Sequence, residues 1–117
     1  MILLDAASDS NFLLLKRLLD NVEDIELEKY LLLFQDSDRN TALHLGAKNG
    51  NFKICNYLID TAKQRGVDHQ LINCRNAMGF TPLLYVCFRG YRTIGEKEVS
   101  LDNRYRIVEK LLEVGAD

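Results

Sequence analysis

The sequence has no run of the roughly eighteen apolar residues that a membrane-spanning helix needs. Even its most apolar stretch, residues 30–34, is bounded by Glu28 and Lys29 on one side and by Gln35 and Asp36 on the other. The basic segment of a secretory leader is missing as well, because Met1, Ile2, Leu3 and Leu4 run straight into Asp5. Three cysteines, an odd number without CxxC spacing, supply neither a disulfide framework nor a zinc site. These absences together predict a cytoplasmic or nuclear protein without a membrane anchor. A net charge of −2 with no basic cluster excludes a phosphate-gripping surface, so nucleic acid is not an expected partner.

Catalytic signatures are also absent. His44 and His69 are the two histidines, and neither has a second ligand or a carboxylate at a spacing that would build a metal or acid–base site. His44 reads as scaffolding and His69 as a solvated loop residue. Cys55 and Cys87 fall on core positions, which leaves Cys74, next to Arg75, as the accessible thiol. Glu96 and Glu98 lie on an inserted stretch with no opposing acid. No phosphate loop is present either. The expectation is a protein that is not an enzyme and has no cofactor and no metal.

What the chain does contain is a repeat. An offset of forty positions relates Ala7 to Ala47, Leu14 to Ile54, and Leu18 and Leu19 to Leu58 and Ile59. The same offset carries Thr41 to Thr81, Leu43 to Leu83, Ala47 to Cys87 and Gly50 to Gly90, and it then jumps to fifty-three between Ile54 and Ile107. An insertion at residues 91–103 accounts for the difference. Within a unit, turn formers at residues 36–40 precede Thr41, a helix N-cap. In the next copy Gly79 supplies a positive-φ turn position and Pro82 opens the helix. Gly50 and Gly90 are expected to end these short inner helices, and Phe52, Ile54, Cys55, Leu58 and Ile59 continue as an outer helix. Units of this length cannot bury their apolar faces alone, so they stack within one domain of 117 residues.

These residues resemble the ankyrin repeat. Thr41-Ala42-Leu43-His44, Gly46-Ala47, Gly50 and Ile54 follow its order, as do Gly79, Thr81-Pro82-Leu83, Gly90, Ile107-Val108, Leu111-Leu112 and Gly115-Ala116-Asp117. The resemblance implies an all-α fold, an ankyrin repeat solenoid of helix-turn-helix units with short β-hairpin turns. It divides the chain into a capping repeat at residues 1–35, a middle repeat at 36–75 and a third repeat at 76–117. Arg39 stands where the family prefers glycine, which predicts strain of about 1 kcal/mol. Leu27, Leu31 and Leu32 match Val67, Leu71 and Ile72, an added helical turn in each linker whose polar residues Glu23, Asp24, Glu26, Glu28 and Lys29 should face water.

The resemblance further implies a concave binding face made of hairpin tips and inner helices. In the middle repeat its positions are Ser37, Asp38, Asn40, Lys48 and Asn49, all polar. In the third they are Ala77, Met78, Phe80, Phe88 and Arg89, with Tyr85 beside them. Apolar and aromatic residues at positions that should be wet have the composition of a hot spot. The expected function is therefore a protein–protein interaction module centred on the third repeat. The alternative is a self-associating or intramolecular regulatory domain of a larger protein, of transcription-regulator or channel type, with self-association running through the C-terminal repeat. The inserted stretch, which carries Tyr91, Ile94, Val99 and Leu101, either covers the aromatic rings or extends the face. Asn73 matches the asparagine hydroxylated in many ankyrin repeats, with Leu71 and Arg65 standing where the hydroxylase prefers an acid and a leucine.

Overall fold

A computed structural model describes residues 2–92 and 98–115, with side chains placed for residues 2–88 and 102–115. The described residues form helices α1 (Ile2–Ser8), α2 (Phe12–Asp20), α3 (Ile25–Leu33), α4 (Ala42–Lys48), α5 (Phe52–Gln64), α6 (Asp68–Ile72), α7 (Pro82–Arg92) and α8 (Glu98–Glu113). The inner helices α1, α4 and α7 stack in one row, and the outer helices α2, α5 and α8 in a second. The linkers form a third, in which α3 packs on α5 and α6. No helix among the described residues is long and apolar enough to cross a membrane.

One junction explains how inner helix turns into outer helix. After α4, the Gly50 N–H donates to the Ala47 carbonyl (3.1 Å) and the Asn51 N–H to the Gly46 carbonyl (3.0 Å). This closure requires a left-handed residue, and Gly50 has φ 66°. Asn51 then caps the next helix, its Oδ1 accepting the Ile54 N–H (3.1 Å). Ser10 and Asn11 build the same junction in the first unit, with Ser10 at φ 57° and Asn11 Oδ1 accepting the Leu14 N–H at 3.2 Å. The next unit caps α1 and α4 in turn. Asn49 Nδ2 donates to the Ser8 carbonyl (2.7 Å), and Arg104 reaches from α8 to donate to the Ala47 (3.3 Å) and Lys48 (3.1 Å) carbonyls. A cation there also complements the negative end of α4.

The third unit departs from expectation at this junction. Gly90 does not end the inner helix, because α7 runs on to Arg92. The position matching Asn51 is Tyr91, which has no short side chain to cap a new helix, so nothing favours the turn. Glu98, expected on a loose insertion, opens α8 instead, while residues 93–97, Glu96 among them, lie outside the described residues.

Ala7, Leu15, Leu32, Leu43, Ile54, Leu58, Ile59, Leu71, Ile72, Ile107 and Leu111 are inaccessible to solvent and form one core through all three rows. Trimming any of these leucines or isoleucines to alanine costs about 2–5 kcal/mol. The linkers contribute more than a turn, since α3 alone has nine residues. Leu32, Val67, Leu71 and Ile72 are buried as their spacing implied, but Leu27 is 47 % exposed. Glu28 does not face water. It is buried, with Oε2 2.9 Å from Nε of Arg65, the residue that ends α5. A carboxylate is tolerated there because the guanidinium comes with it. Cys87 is exposed rather than in the core, whereas Cys55 is buried and Cys74 half-buried.

The hairpins carry no strand among the described residues. Each is a tight turn in which the Asp36 N–H donates to the Asn40 carbonyl, or the Asn76 N–H to the Phe80 carbonyl, both at 2.9 Å. Arg39 lies at φ 62° and its counterpart Gly79 at φ 80°, so the anticipated strain is present. An added β-carbon at Gly79 would meet nothing within 4 Å. Arg39→Gly is therefore expected to raise unfolding free energy by about 1 kcal/mol and Gly79→Ala to lower it by about as much. Urea titrations of both variants check this, and unchanged midpoints would contradict it.

Candidate partner-binding face

Two matching fingertips shape this face. Asp36 Oδ1 accepts the N–H groups of Asp38 (2.9 Å) and Asn40 (2.8 Å), and Asn76 Oδ1 accepts those of Met78 (3.0 Å) and Phe80 (3.0 Å). The third fingertip is then sewn to the second. Asn76 Nδ2 donates to Asn40 Oδ1 (2.9 Å), and the Ala77 N–H donates to the Asp38 carbonyl (2.9 Å). Gln35 Nε2 adds contacts to the carbonyls of Arg39 (2.7 Å) and Arg75 (3.1 Å) and to Cys74 Sγ (3.3 Å).

His44 completes the attachment. Its Nδ1 accepts the Thr41 N–H at 3.1 Å and faces Thr41 Oγ1 at 2.9 Å, while Thr41 Oγ1 accepts the His44 N–H at 3.3 Å. An Nδ1 that accepts from an amide carries no proton, which puts the ring proton on Nε2, where it is donated to the Phe80 carbonyl at 2.8 Å. The imidazole is fully buried, and burial pulls its pKa below the usual histidine value against the opposing pull of the Phe80 carbonyl and Asp36.

Fastened in this way, the third fingertip projects Met78, which is 64 % exposed, with Ala77 exposed beside it. Behind them lie the half-buried rings of Phe80, Tyr85 and Phe88. Phe80 stands 5.3 Å from Phe88 and 6.3 Å from Tyr85 between centroids, and Tyr85 continues to His44 at 6.2 Å. Phe80, Tyr85 and Phe88 therefore form one aromatic cluster rooted on a buried histidine. The side chain of Arg89 lies outside those described. On the middle unit Ser37 and Asp38 are exposed and Lys48 is half-buried. Asn40 is buried under the Asn76 bond, and the Asn49 amide is engaged on α1, so both serve the scaffold directly.

Burial raises the Cys74 thiol, against a smaller opposing pull from Arg39. Burial also raises the Cys55 thiol. Tyr57, raised by burial and by the nearby carboxylate, donates to Asp20 and joins α5 to α2, and Asp20 is lowered chiefly by that bond. Asn73 is half-buried at the end of α6, its Oδ1 without a hydrogen-bond partner among the described residues. No group of three or more His, Cys, Asp or Glu is placed to hold a metal among the described residues. Sequence reading did not anticipate the Asn76–Asn40 bond, the Gln35 bridge or the Arg104 cap. The Asp36-to-Asn76 offset signalled the first, whereas no spacing signals Arg104, because α8 begins before the position at which the repeat's own outer helix would start.

The sign of the histidine shift fixes a pH dependence. Because the folded pKa lies below the unfolded value, the unfolded chain takes up the proton first, so stability present above about pH 6.5 is lost as pH falls toward the folded pKa. Protonation would also place a hydrogen on Nδ1 facing the Thr41 N–H. His44→Gln keeps a side chain that can return to the helix N-cap but loses the Phe80 bond. It is expected to cost about 1 kcal/mol at pH 7.5 and to remove most of the parent's additional loss between pH 7.5 and 5. Denaturant titrations at the two pH values measure both, and a variant with the parent's full acid sensitivity would refute the assignment.

A family model described as ankyrin repeats, in three copies, matches residues 3–117. No curated protein matches the chain.

Proposed function

Because the chain belongs to the ankyrin-repeat family, whose members are generally modules that bind other proteins through a non-enzymatic fold, we propose that it captures a protein partner on the shelf formed by Met78, Phe80, Tyr85 and Phe88. The observation that carries this reading is the ring geometry, with Phe80 within 5.3 Å of Phe88 and 6.3 Å of Tyr85 beside a largely exposed methionine. Half-exposed aromatics lose little entropy when covered and offer a large apolar area, while the flexible thioether of Met78 adapts to the shape of what arrives. An apolar or aromatic side chain from the partner suits this shelf. Ser37, Asp38 and Lys48, polar and on the neighbouring unit, form the rim that excludes water from its edge. Tyr85 and Phe80 lie against the His44 attachment, so the shelf comes preformed and little binding energy goes into ordering it.

Met78→Ala and Phe88→Ala are each expected to weaken partner capture about thirtyfold, the effect of removing roughly 2 kcal/mol from an interface anchor. Both should leave the melting temperature close to that of the parent. Leu83→Ala, which trims a buried residue of α7, should lower the melting temperature markedly. Calorimetry with the partner, alongside thermal melts, separates the two effects. If Phe88→Ala unfolds as readily as Leu83→Ala, the rings are core and the shelf is not a binding site.

A further inference from the structure

Polar bonds alone hold the third fingertip in place. No residue from 73 to 82 belongs to the apolar core, whose nearest members on either side are Ile72 and Leu83. Phe80 packs its ring on Tyr85 and Phe88 instead. Four fastenings join this fingertip to the second unit. They are the Asn76–Asn40 bond, the Ala77–Asp38 bond, the Gln35 bridge to the Arg75 carbonyl, and the His44 bond to the Phe80 carbonyl. A segment held in this way opens without unfolding its surroundings, because its release uncovers no core surface.

Of these four, only the His44 fastening contains a group that takes up a proton close to neutral pH. The closed arrangement has no place for that proton. Nδ1 already accepts the Thr41 N–H at 3.1 Å. Were an Nδ1 proton directed at Thr41 Oγ1, 2.9 Å away, the fully buried Thr41 amide would lose its acceptor. The groups acting on the ring come from the fingertips and the chain leading into them. They are the Phe80 carbonyl, the Asp36 carboxylate and the backbone of Cys74, and burial outweighs all three. Asp36 is itself engaged, since its Oδ1 accepts the Asp38 and Asn40 N–H groups. From α7 the ring meets Tyr85, while α1 and α5, the other helices packed on α4, supply no charge that acts on it.

We infer that His44 is an acid-released latch: when its ring takes up a proton it leaves the Phe80 carbonyl, and the third fingertip parts from the second while the rows of helices stay packed. The proton comes from solvent and goes to Nδ1, and only hydrogen bonds are broken. Opening hydrates the imidazolium and relieves the crowding of donors around Nδ1. The opened ring takes its proton near the ordinary histidine value of 6.5 and the closed ring only at lower pH. The opened fraction therefore rises about tenfold between pH 7.5 and 5.5. This release is a property of the fold and stands independently of the partner-binding reading. Under that reading it makes capture acid-sensitive, because Phe80 leaves the shelf with the fingertip.

Native-state hydrogen exchange of the 117-residue chain, followed by NMR, tests the latch. The reporter is the Ala77 N–H, which is bonded to the Asp38 carbonyl only while the two fingertips are joined. After correction for the pH dependence of the chemical step, its protection is expected to fall about tenfold between pH 7.5 and 5.5. That protection should be insensitive to low concentrations of urea, whereas the amide of Leu58, inside α5, should follow urea because it exchanges through global unfolding. His44→Gln should abolish the pH dependence. Asn76→Ala, which removes a fastening that does not titrate, should lower Ala77 protection at both pH values and keep the tenfold change. The inference is overturned if Ala77 protection in the parent does not change with pH, if it follows urea as steeply as Leu58 does, or if His44→Gln retains the change. Should His44→Gln fail to fold, the ring resonances of the parent decide. Protonation of His44 must then coincide with loss of Ala77 protection, and a ring that protonates while Ala77 stays protected also overturns the latch.

Discussion

The imidazole of His44 ties two units together through two different kinds of bond. One ring nitrogen belongs to the helix start of its own unit, accepting the Thr41 amide, and the other donates to the Phe80 carbonyl of the next unit. The ring can do both only as the neutral Nε2–H tautomer, so a choice of protonation state underlies the distance between adjacent fingertips. The Asn76–Asn40 and Ala77–Asp38 bonds then set the orientation that this distance allows. Phe80 takes its place through its backbone carbonyl, which leaves its ring free to join Tyr85 and Phe88. The scaffold and the candidate surface therefore share a residue but use different atoms of it.

A second rule governs the helix junctions. In two units a left-handed residue is followed by asparagine, and that asparagine closes one helix and opens the next. The third unit keeps the glycine but follows it with Tyr91, and α7 continues. Glycine permits the turn without compelling it, since its flexibility is equally compatible with one more helical residue. The cap that follows decides the outcome. Arg104 of α8 lies across Gly50, where a β-carbon would come within 3.3 Å of its Cγ.

Most of the fold was legible in the sequence because the signal repeats. Thr41 and Thr81, Leu43 and Leu83, and Ile54 and Ile107 each state the same local structure, and agreement between copies removes the ambiguity of a single short helix. Glu28 was misread because its burial depends on Arg65, a partner thirty-seven residues away that no periodicity reveals. Cys87 was misread because its counterpart Ala47 is buried between neighbouring units, whereas no described unit packs on the far side of α7. The candidate site was read from composition alone, since Met78, Phe80, Tyr85 and Phe88 are conspicuous at positions that should be polar. Their mutual arrangement was not, because it depends on the hydrogen bonds that orient the fingertip.

The third row of helices bears on the mechanics of the molecule. A stack two helices wide flexes like a strip, opening or closing its curve by small slips between neighbours. Here α3 and α6 lie along the flank of α5 and touch each other, so flattening the curve would have to shear a packed row in addition to the two that every unit supplies. The cross-section is thickened where bending would strain it most, and a ribbon becomes a beam. Such a beam resists bending, so the proposed partner would meet a surface of fixed shape.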